Sequence, residues 1–207
     1  MKPKRLFLLI AVVVAVLSVF YTFQGGKDKS GYIATIEKER EDKDRFMRSS
    51  EESPFARNPE TFTALQYFPI DARYNITAAL SPIGNPKTIA LATSDGYEQS
   101  YVEFATAEFD LDGYHNALLL LEPTGPDREP GQLFLAFGDD TSAAETYGGG
   151  RYLDVKHVPG SNTINLDFNK AYNPYCAYVD HYSCPLPPPQ NLLQVAIRAG
   201  EKTYHSD

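Results

Sequence analysis

The chain has 207 residues, with 19 Lys/Arg against 27 Asp/Glu and a formal net charge of −8, which is length enough for one domain or one and a half. An acidic surface of this kind repels phosphate backbones and excludes nucleic acid as a partner class. Trp is absent while Tyr and Phe number 14 and 12, a bias toward strands.

Lys2, Lys4 and Arg5 lead into residues 6–23, LFLLIAVVVAVLSVFYTF, an almost wholly apolar run. Eighteen such residues are about enough to cross a hydrocarbon core of roughly 30 Å. A cleaved signal peptide has a shorter apolar core and a small-x-small exit, whereas the exit here reads VFYTFQGG. No Cys follows the run, so lipidation after cleavage is excluded there. Residues 1–23 are therefore expected to form a single membrane anchor, with a cleaved signal or a buried core helix as alternatives. Basic flanks stay cytoplasmic, which places the rest of the chain on the extracytoplasmic side. Lys27, Lys29, Lys38, Arg40 and Lys43, interleaved with acids, weigh against that orientation.

Residues 24–30, QGGKDKS, read as a flexible spacer, and residues 31–207 as a single domain. It opens with a helix over residues 32–50: Ile33, Ile36, Phe46 and Met47 form a thin apolar stripe among charges. Glu37, Lys38, Glu41 and Arg45 offer i,i+4 support, and Ser53-Pro54 ends the pattern.

From Phe62 the period becomes that of strands. Eight are expected, at residues 74–80, 88–93, 101–111, 116–122, 132–137, 151–157, 163–168 and 193–199, with turns such as Asp112-Gly113 and Pro159-Gly160 between them. No long helical pattern intervenes, which argues against a parallel sheet. The expectation is an all-β fold, an antiparallel barrel or sandwich. Leu118–Leu121 and Leu133–Phe137 are apolar on both faces, as in strands covered on both sides. Residues 171–191, AYNPYCAYVDHYSCPLPPPQN, carry five Pro and four Tyr. The stretch is too aromatic for a disordered linker and reads as an ordered loop packed on the sheet, a common seat of function.

The motifs of serine hydrolases, zinc proteases, P-loops and dinucleotide folds are absent. Three features remain. The first is residues 138–154, GDDTSAAETYGGGRYLD. Asp139, Asp140 and Glu145 would suit a hard cation, and Gly148, Gly149 and Gly150 before Arg151 would suit an anion. The plainer alternative is a glycine-rich turn whose side chains satisfy loop amides. The second is residues 162–174, where Ile164, Leu166 and Phe168 share one strand face and Asn165, Asp167 and Asn169 the other. That polar face would either meet water or line a barrel interior near Tyr172 and Asn173.

The third is the pair Cys176 and Cys184. Three readings stand: a disulfide, worth roughly 2.6 kcal/mol by loop-closure entropy, two buried thiols, or a soft metal shared with His181. The metal lacks a clear fourth ligand. His181 is the only basic neighbour in sequence, so a structural role is expected over a reactive one. His115, His157 and His205 show no partner pattern.

TYGGGRYLD, DFNKAYNPYCAY and SCPLPPPQNLLQVAIRAGEK, preceded by KDRFMRSSEESPF, FTALQYFPID and LFLAFGDDTS, resemble the prokaryotic family catalogued as domain of unknown function 1684. The resemblance spans about residues 38–204. The family pattern has Gly near Ala143 and Glu where Gln190 stands, so neither position supports a role here. No activity is assigned to the family, and the resemblance names a relative rather than a reaction. It implies one cluster of Thr146, Tyr147, Arg151, Asp167, Asn169, Tyr172, Asn173 and Cys176. Members without an export signal that keep the cysteine pair argue against a disulfide as its original purpose.

The leading functional expectation is a binding module for a small polar or anionic ligand. Arg151 clamps it, Asn169 and Asn173 hydrogen-bond it, and Tyr147 and Tyr172 wall the pocket. The alternatives are a hydrolase-like enzyme with Asp167 as general base and an envelope structural or interaction module. No cofactor and no metal is expected, and the oligomeric state is not readable.

Overall fold

The computed structural model describes residues 29–125 and 129–204. The expected anchor, and the spacer up to residue 28, lie outside the described residues. Among the described residues no helix is long and apolar enough to cross a membrane.

Helix α1 runs over residues 29–49, starting a little before the expected 32. The chain divides into two compact units between Asp42 and Lys43. In the first, Lys38 and Asp42 form an exposed i,i+4 ion pair at 2.7 Å. The second contains everything that follows.

Among the described residues seven strands form one sheet: β1 (Asn75–Pro82), β2 (Thr88–Ala92), β3 (Glu98–Leu111), β4 (Tyr114–Pro123), β5 (Gln132–Phe137), β6 (Arg151–Lys156) and β7 (Thr163–Asp167). The order is β6-β5-β4-β3-β1-β7, every pairing is antiparallel, and β2 pairs with β3 off this path. The edge strands β6 and β7 return beside one another, so the sheet curls into a nearly closed barrel. The β3–β4 hairpin turns on two residues, Asp112 at φ 51° and Gly113 at φ 85°, with Leu111 opposite Tyr114. Two positive φ angles in a two-residue loop match the twist of antiparallel strands.

Strand β3 serves two partners on one edge. Its start pairs with β2 and its later part with β1, and a register shift falls between Glu103 and Ala105. The shift sends Tyr101 to the outer face while Ala105, Ala107 and Phe109 face inward. Leu118, Leu120, Leu133, Leu135, Phe137, Leu153, Val155, Ile164 and Leu166 fill the interior. Leu119, Leu121, Phe134, Ala136 and Tyr152 form an outer apolar layer with Leu91 and Cys184. The runs apolar on both faces are thus strands covered on both faces, as expected. A third cluster gathers Met47, Phe55, Phe62, Leu65 and Tyr204.

The eighth expected strand, residues 193–199, joins no ladder. Its alternation is real, since Leu193, Val195, Ile197 and Ala199 are all buried; its start bonds the backbone of Gly138 and Asp140, and from Ile197 onward side chains replace a partner strand. Ile197 N–H donates to Asp139 Oδ1 at 3.1 Å. Arg151 donates to the carbonyls of Ile197 (2.8 Å), Ala199 and Glu201 (3.2 Å). Buried backbone groups must be paired, and here an arginine and an aspartate do what a ladder would.

Candidate functional site

The loop expected to pack on the sheet does so against the outer apolar layer. Tyr152 and Tyr172 exchange backbone hydrogen bonds of 2.8 and 3.0 Å, which stitches the loop to β6. Further along, Ser94 N–H donates to Cys184 O and Leu186 N–H to Ala92 O, tying it to the end of β2. Between these attachments the aromatic side chains do not close up. They leave a cavity of about 310 Å³ walled by Tyr101, Phe134, Tyr152, Tyr172, Tyr175 and Tyr182, with Pro174, Ser183, Cys184 and Pro185 completing the rim. The rings lock one another: Tyr101 stacks on Phe134 at 5.0 Å, Phe134 meets Tyr152 edge-on at 4.8 Å, and Tyr175 meets Tyr182 edge-on at 5.1 Å. Such pairs add to the stability of burial alone and hold the walls in place.

The polar groups of this cavity are few and directed. Tyr152 OH donates to Pro185 O at 2.7 Å. Tyr172 OH donates to Asp154 Oδ2 at 2.9 Å, and Lys43 Nζ sits 4.3 Å from the centre of its ring. Burial pushes the Tyr101 phenol up to about 12 and those of Tyr152 and Tyr172 higher still, so all three remain hydrogen-bond donors at neutral pH. Desolvation by the rings beside it also raises the Asp154 carboxyl, although the residue itself is open to solvent, while the Tyr172 hydroxyl and Lys43 partly hold it down.

The cysteines stand at one end of this layer as free thiols, Cys184 buried and Cys176 partly exposed. Cys176 N–H donates to Cys184 Sγ at 3.1 Å, and the Tyr147 hydroxyl lies 3.7 Å from Cys176 Sγ. The soft-metal reading is corrected: among the described residues no three His, Cys, Asp or Glu gather as a metal would require. The His181 ring lies against Tyr182 instead. The hard-cation reading falls with it, because Asp139 pairs with Arg151 at 2.9 Å and Glu145 with Arg198 at 2.8 Å.

The resemblance-derived cluster divides. Tyr172 and Cys176 pack against the outer layer, and Tyr147 touches it through Cys176 Sγ. The other members hold the framework. Thr146 bonds Thr141 inside the glycine-rich turn. Arg151 is 1% exposed and turned into the barrel, its Nη1 and Nη2 spent on Asp139 and three carbonyls. Asp167 caps a 3-10 turn by accepting from Asn169 N–H at 3.1 Å, and Asn169 clasps both backbone groups of Asp71. Asn173 donates its N–H to Glu201 and its side-chain amide to Lys202 O. Since every pairing is antiparallel, the start of β6 and the end of β7 lie at the same end of the sheet, but Arg151 points inside.

A second concavity of about 260 Å³ does lie over Gly148, Gly149 and Gly150, yet Leu186, Pro187, Leu192 and Leu193 line it and Arg151 does not. Its glycines serve close packing. A Cβ on Gly150, at φ 87°, would stand 2.5 Å from Pro187 Cγ and 2.7 Å from Phe137 O.

Residues 60–202 match the family described as Protein of unknown function (DUF1684). The chain belongs to this family. An uncharacterized protein of Haloarcula marismortui, solved by solution NMR, is 36% identical to this DUF1684 chain, with a TM-score of 0.66 over 86% of this chain and 97% of that one. No curated protein matches. Of the cluster the resemblance implies, only Tyr172 lines the cavity. Tyr101, Phe134 and Tyr152 come from three strands whose outward aromatic positions are readable by alternation, although nothing in the sequence tells that a loop covers them. Glu201 also escaped notice. It is 1% exposed and accepts from Asn173 N–H at 2.9 Å, with Lys43 Nζ at 2.6 Å and the Tyr178 hydroxyl also bound to it. Its position within AGEK reads like any surface charge.

Proposed function

We propose that this domain is a binding module for a small, planar, largely apolar ligand, held in the cavity beneath the Tyr/Pro-rich loop. The carrying observation is the cavity itself: an open cleft of about 310 Å³ lined by interlocked aromatic rings on a sheet face, at the lower end of ligand-pocket sizes. A single ring system with one or two hydrogen-bonding groups fits this chemistry. Ring faces and edges supply the contact area, and Ser183 and the loop backbone at the rim fix orientation. An anion clamp by Arg151 is not part of the proposal, because that guanidinium holds Asp139 and the 197–201 backbone. Asp167 as general base is set aside because its carboxylate caps a turn. Anchoring through residues 6–23, with the β domain on the extracytoplasmic side, belongs to the same proposal and rests on the apolar run after a basic start.

A thermal-shift panel of neutral one-ring and two-ring aromatics against aliphatic anions, on the full chain, tests it. A ligand at one hundred times its Kd raises stability by about 2.7 kcal/mol. The expected result is stabilisation by aromatics that Tyr182→Ala removes. Stabilisation confined to aliphatic anions, and unchanged in Tyr182→Ala, contradicts the proposal.

A further inference from the structure

We infer that Cys176 and Cys184 form a reversible dithiol–disulfide site in which Cys176 is the attacking sulfur, Cys184 the resolving one, and a small-molecule disulfide the oxidant.

The geometry is that of a prepared pair. Cys176 N–H donates to Cys184 Sγ at 3.1 Å, so the second sulfur already lies against the backbone of the first cysteine, and a side-chain rotation of Cys176 is the movement that an S–S bond of about 2.05 Å asks for. Both ends of the loop between them are fastened. Tyr175–Ala177 is a 3-10 turn started by Pro174, and Cys184 is held through its own carbonyl by Ser94 N–H at 2.9 Å and through its N–H by Ser94 Oγ at 3.2 Å. The two positions are not equivalent. Cys184 is 6% exposed, whereas Cys176 is open enough for a small reagent. The polar groups facing Cys176 Sγ favour its charged form: the Cys184 thiol first, then the Tyr147 hydroxyl at 3.7 Å, and its titration comes down from 9.0 to about 6. Donating to that sulfur, with burial, keeps Cys184 protonated. Reactive thiols need a lowered pKa and access, and Cys176 has both without a basic residue nearby.

The chemistry balances. The Cys176 thiolate attacks one sulfur of the small disulfide, forms a mixed disulfide and expels one thiolate. Cys176 then no longer holds the Cys184 hydrogen. Cys184 attacks Cys176 Sγ, its proton leaves with the second expelled thiolate, and the intramolecular bond closes. Two electrons pass from the two cysteines to the small disulfide, which becomes two thiols.

Oxidised glutathione added to the reduced full chain, followed by quenching and peptide mass spectrometry, tests this. The wild type is expected to pass through a glutathione adduct on Cys176 and end with a 176–184 bond that dithiothreitol reopens. Cys184→Ser should stop at the Cys176 adduct, and Cys176→Ser should gain neither product. Should Cys184→Ser fold poorly, the early time points of the wild type carry the same information. An adduct first seen on Cys184, or a wild type that never closes the intramolecular bond, overturns the inference.

Discussion

Arg151 Nη2 stands 2.9 Å from Asp139 Oδ2, and both side chains are 1% exposed. Around this pair the last extended segment of the chain is hung. Asp139 Oδ1 takes the N–H of Ile197, and Arg151 takes three carbonyls of the same segment. A buried ion pair repays its desolvation only when its remaining donors and acceptors are engaged; here Nη1, Nη2 and Asp139 Oδ1 engage backbone atoms of this segment, and Arg151 Nε is left buried without a partner.

Arg151→Met should therefore be costly. It leaves Asp139 buried without its counter-charge and three carbonyls without this donor, a loss of roughly 3–5 kcal/mol, or a Tm fall on the order of 10 °C for a domain of this size. Asp139→Asn should cost less than that, and the double variant less than the sum of the singles, since both act on one network. An unchanged Tm in Arg151→Met, with ligand binding lost, would return Arg151 to the site.

The glycine-rich turn makes opposite predictions at two positions. Ala143 adopts φ 65° and Gly150 φ 87°. Ala143→Gly should raise stability by about 1 kcal/mol, the cost of a left-handed conformation for a residue with a Cβ. Gly150→Ala should lower it by more than that, because its Cβ would also press against Phe137 O and Pro187. Urea unfolding of the two variants gives both values, and a loss in the first or no loss in the second refutes this account of the turn.

Cys176 should alkylate with a half-maximal rate near pH 6. Its folded-state titration lies at about 6 against 9.0 ordinarily. The stability this thiolate contributes is thus fully present above pH 9 and is lost as pH falls through 6. Iodoacetamide rates across pH measure the titration directly. Tyr147→Phe should move the midpoint upward, and a wild-type midpoint near 9 would contradict the hydrogen-bonded thiolate.

Asp154 should behave in the reverse sense. Its carboxyl is raised from 3.8, mainly by desolvation from the neighbouring rings although the residue is solvent-exposed, so its contribution is fully present below pH 3.8 and is lost as pH rises through the shifted value. Asp154→Asn is expected to gain Tm relative to wild type on going from acid to neutral pH. A gain that does not change with pH would show that charge is not the cause.

Much of the fold follows from local pattern. The Asp112-Gly113 turn, the doubly apolar Leu118–Leu121 run and the alternation of Ile164 and Leu166 each carry their own physical signature, and each has its expected place. Residues 193–199 carry the signature of a strand equally well, but alternation reports which side chains are buried and not which groups bond the backbone. The same limit governs the site. Arg151 beside three glycines reads as an anion clamp, yet as the first residue of β6 it faces inward with Leu153 and Val155. Cys176 shows no activating neighbour in sequence because the Tyr147 hydroxyl reaches it only through the fold.

Chemical-shift mapping of the full chain titrated with 4-hydroxybenzamide, a neutral single-ring probe, bears most directly on the proposed pocket. Saturable shifts should concentrate at the amides of Tyr101, Phe134, Tyr152, Tyr172, Ser183 and Cys184 and vanish in Tyr182→Ala. Shifts centred instead on Gly148, Gly149 and Leu192, or no saturable shift at any site, would contradict an aromatic binding pocket beneath the loop.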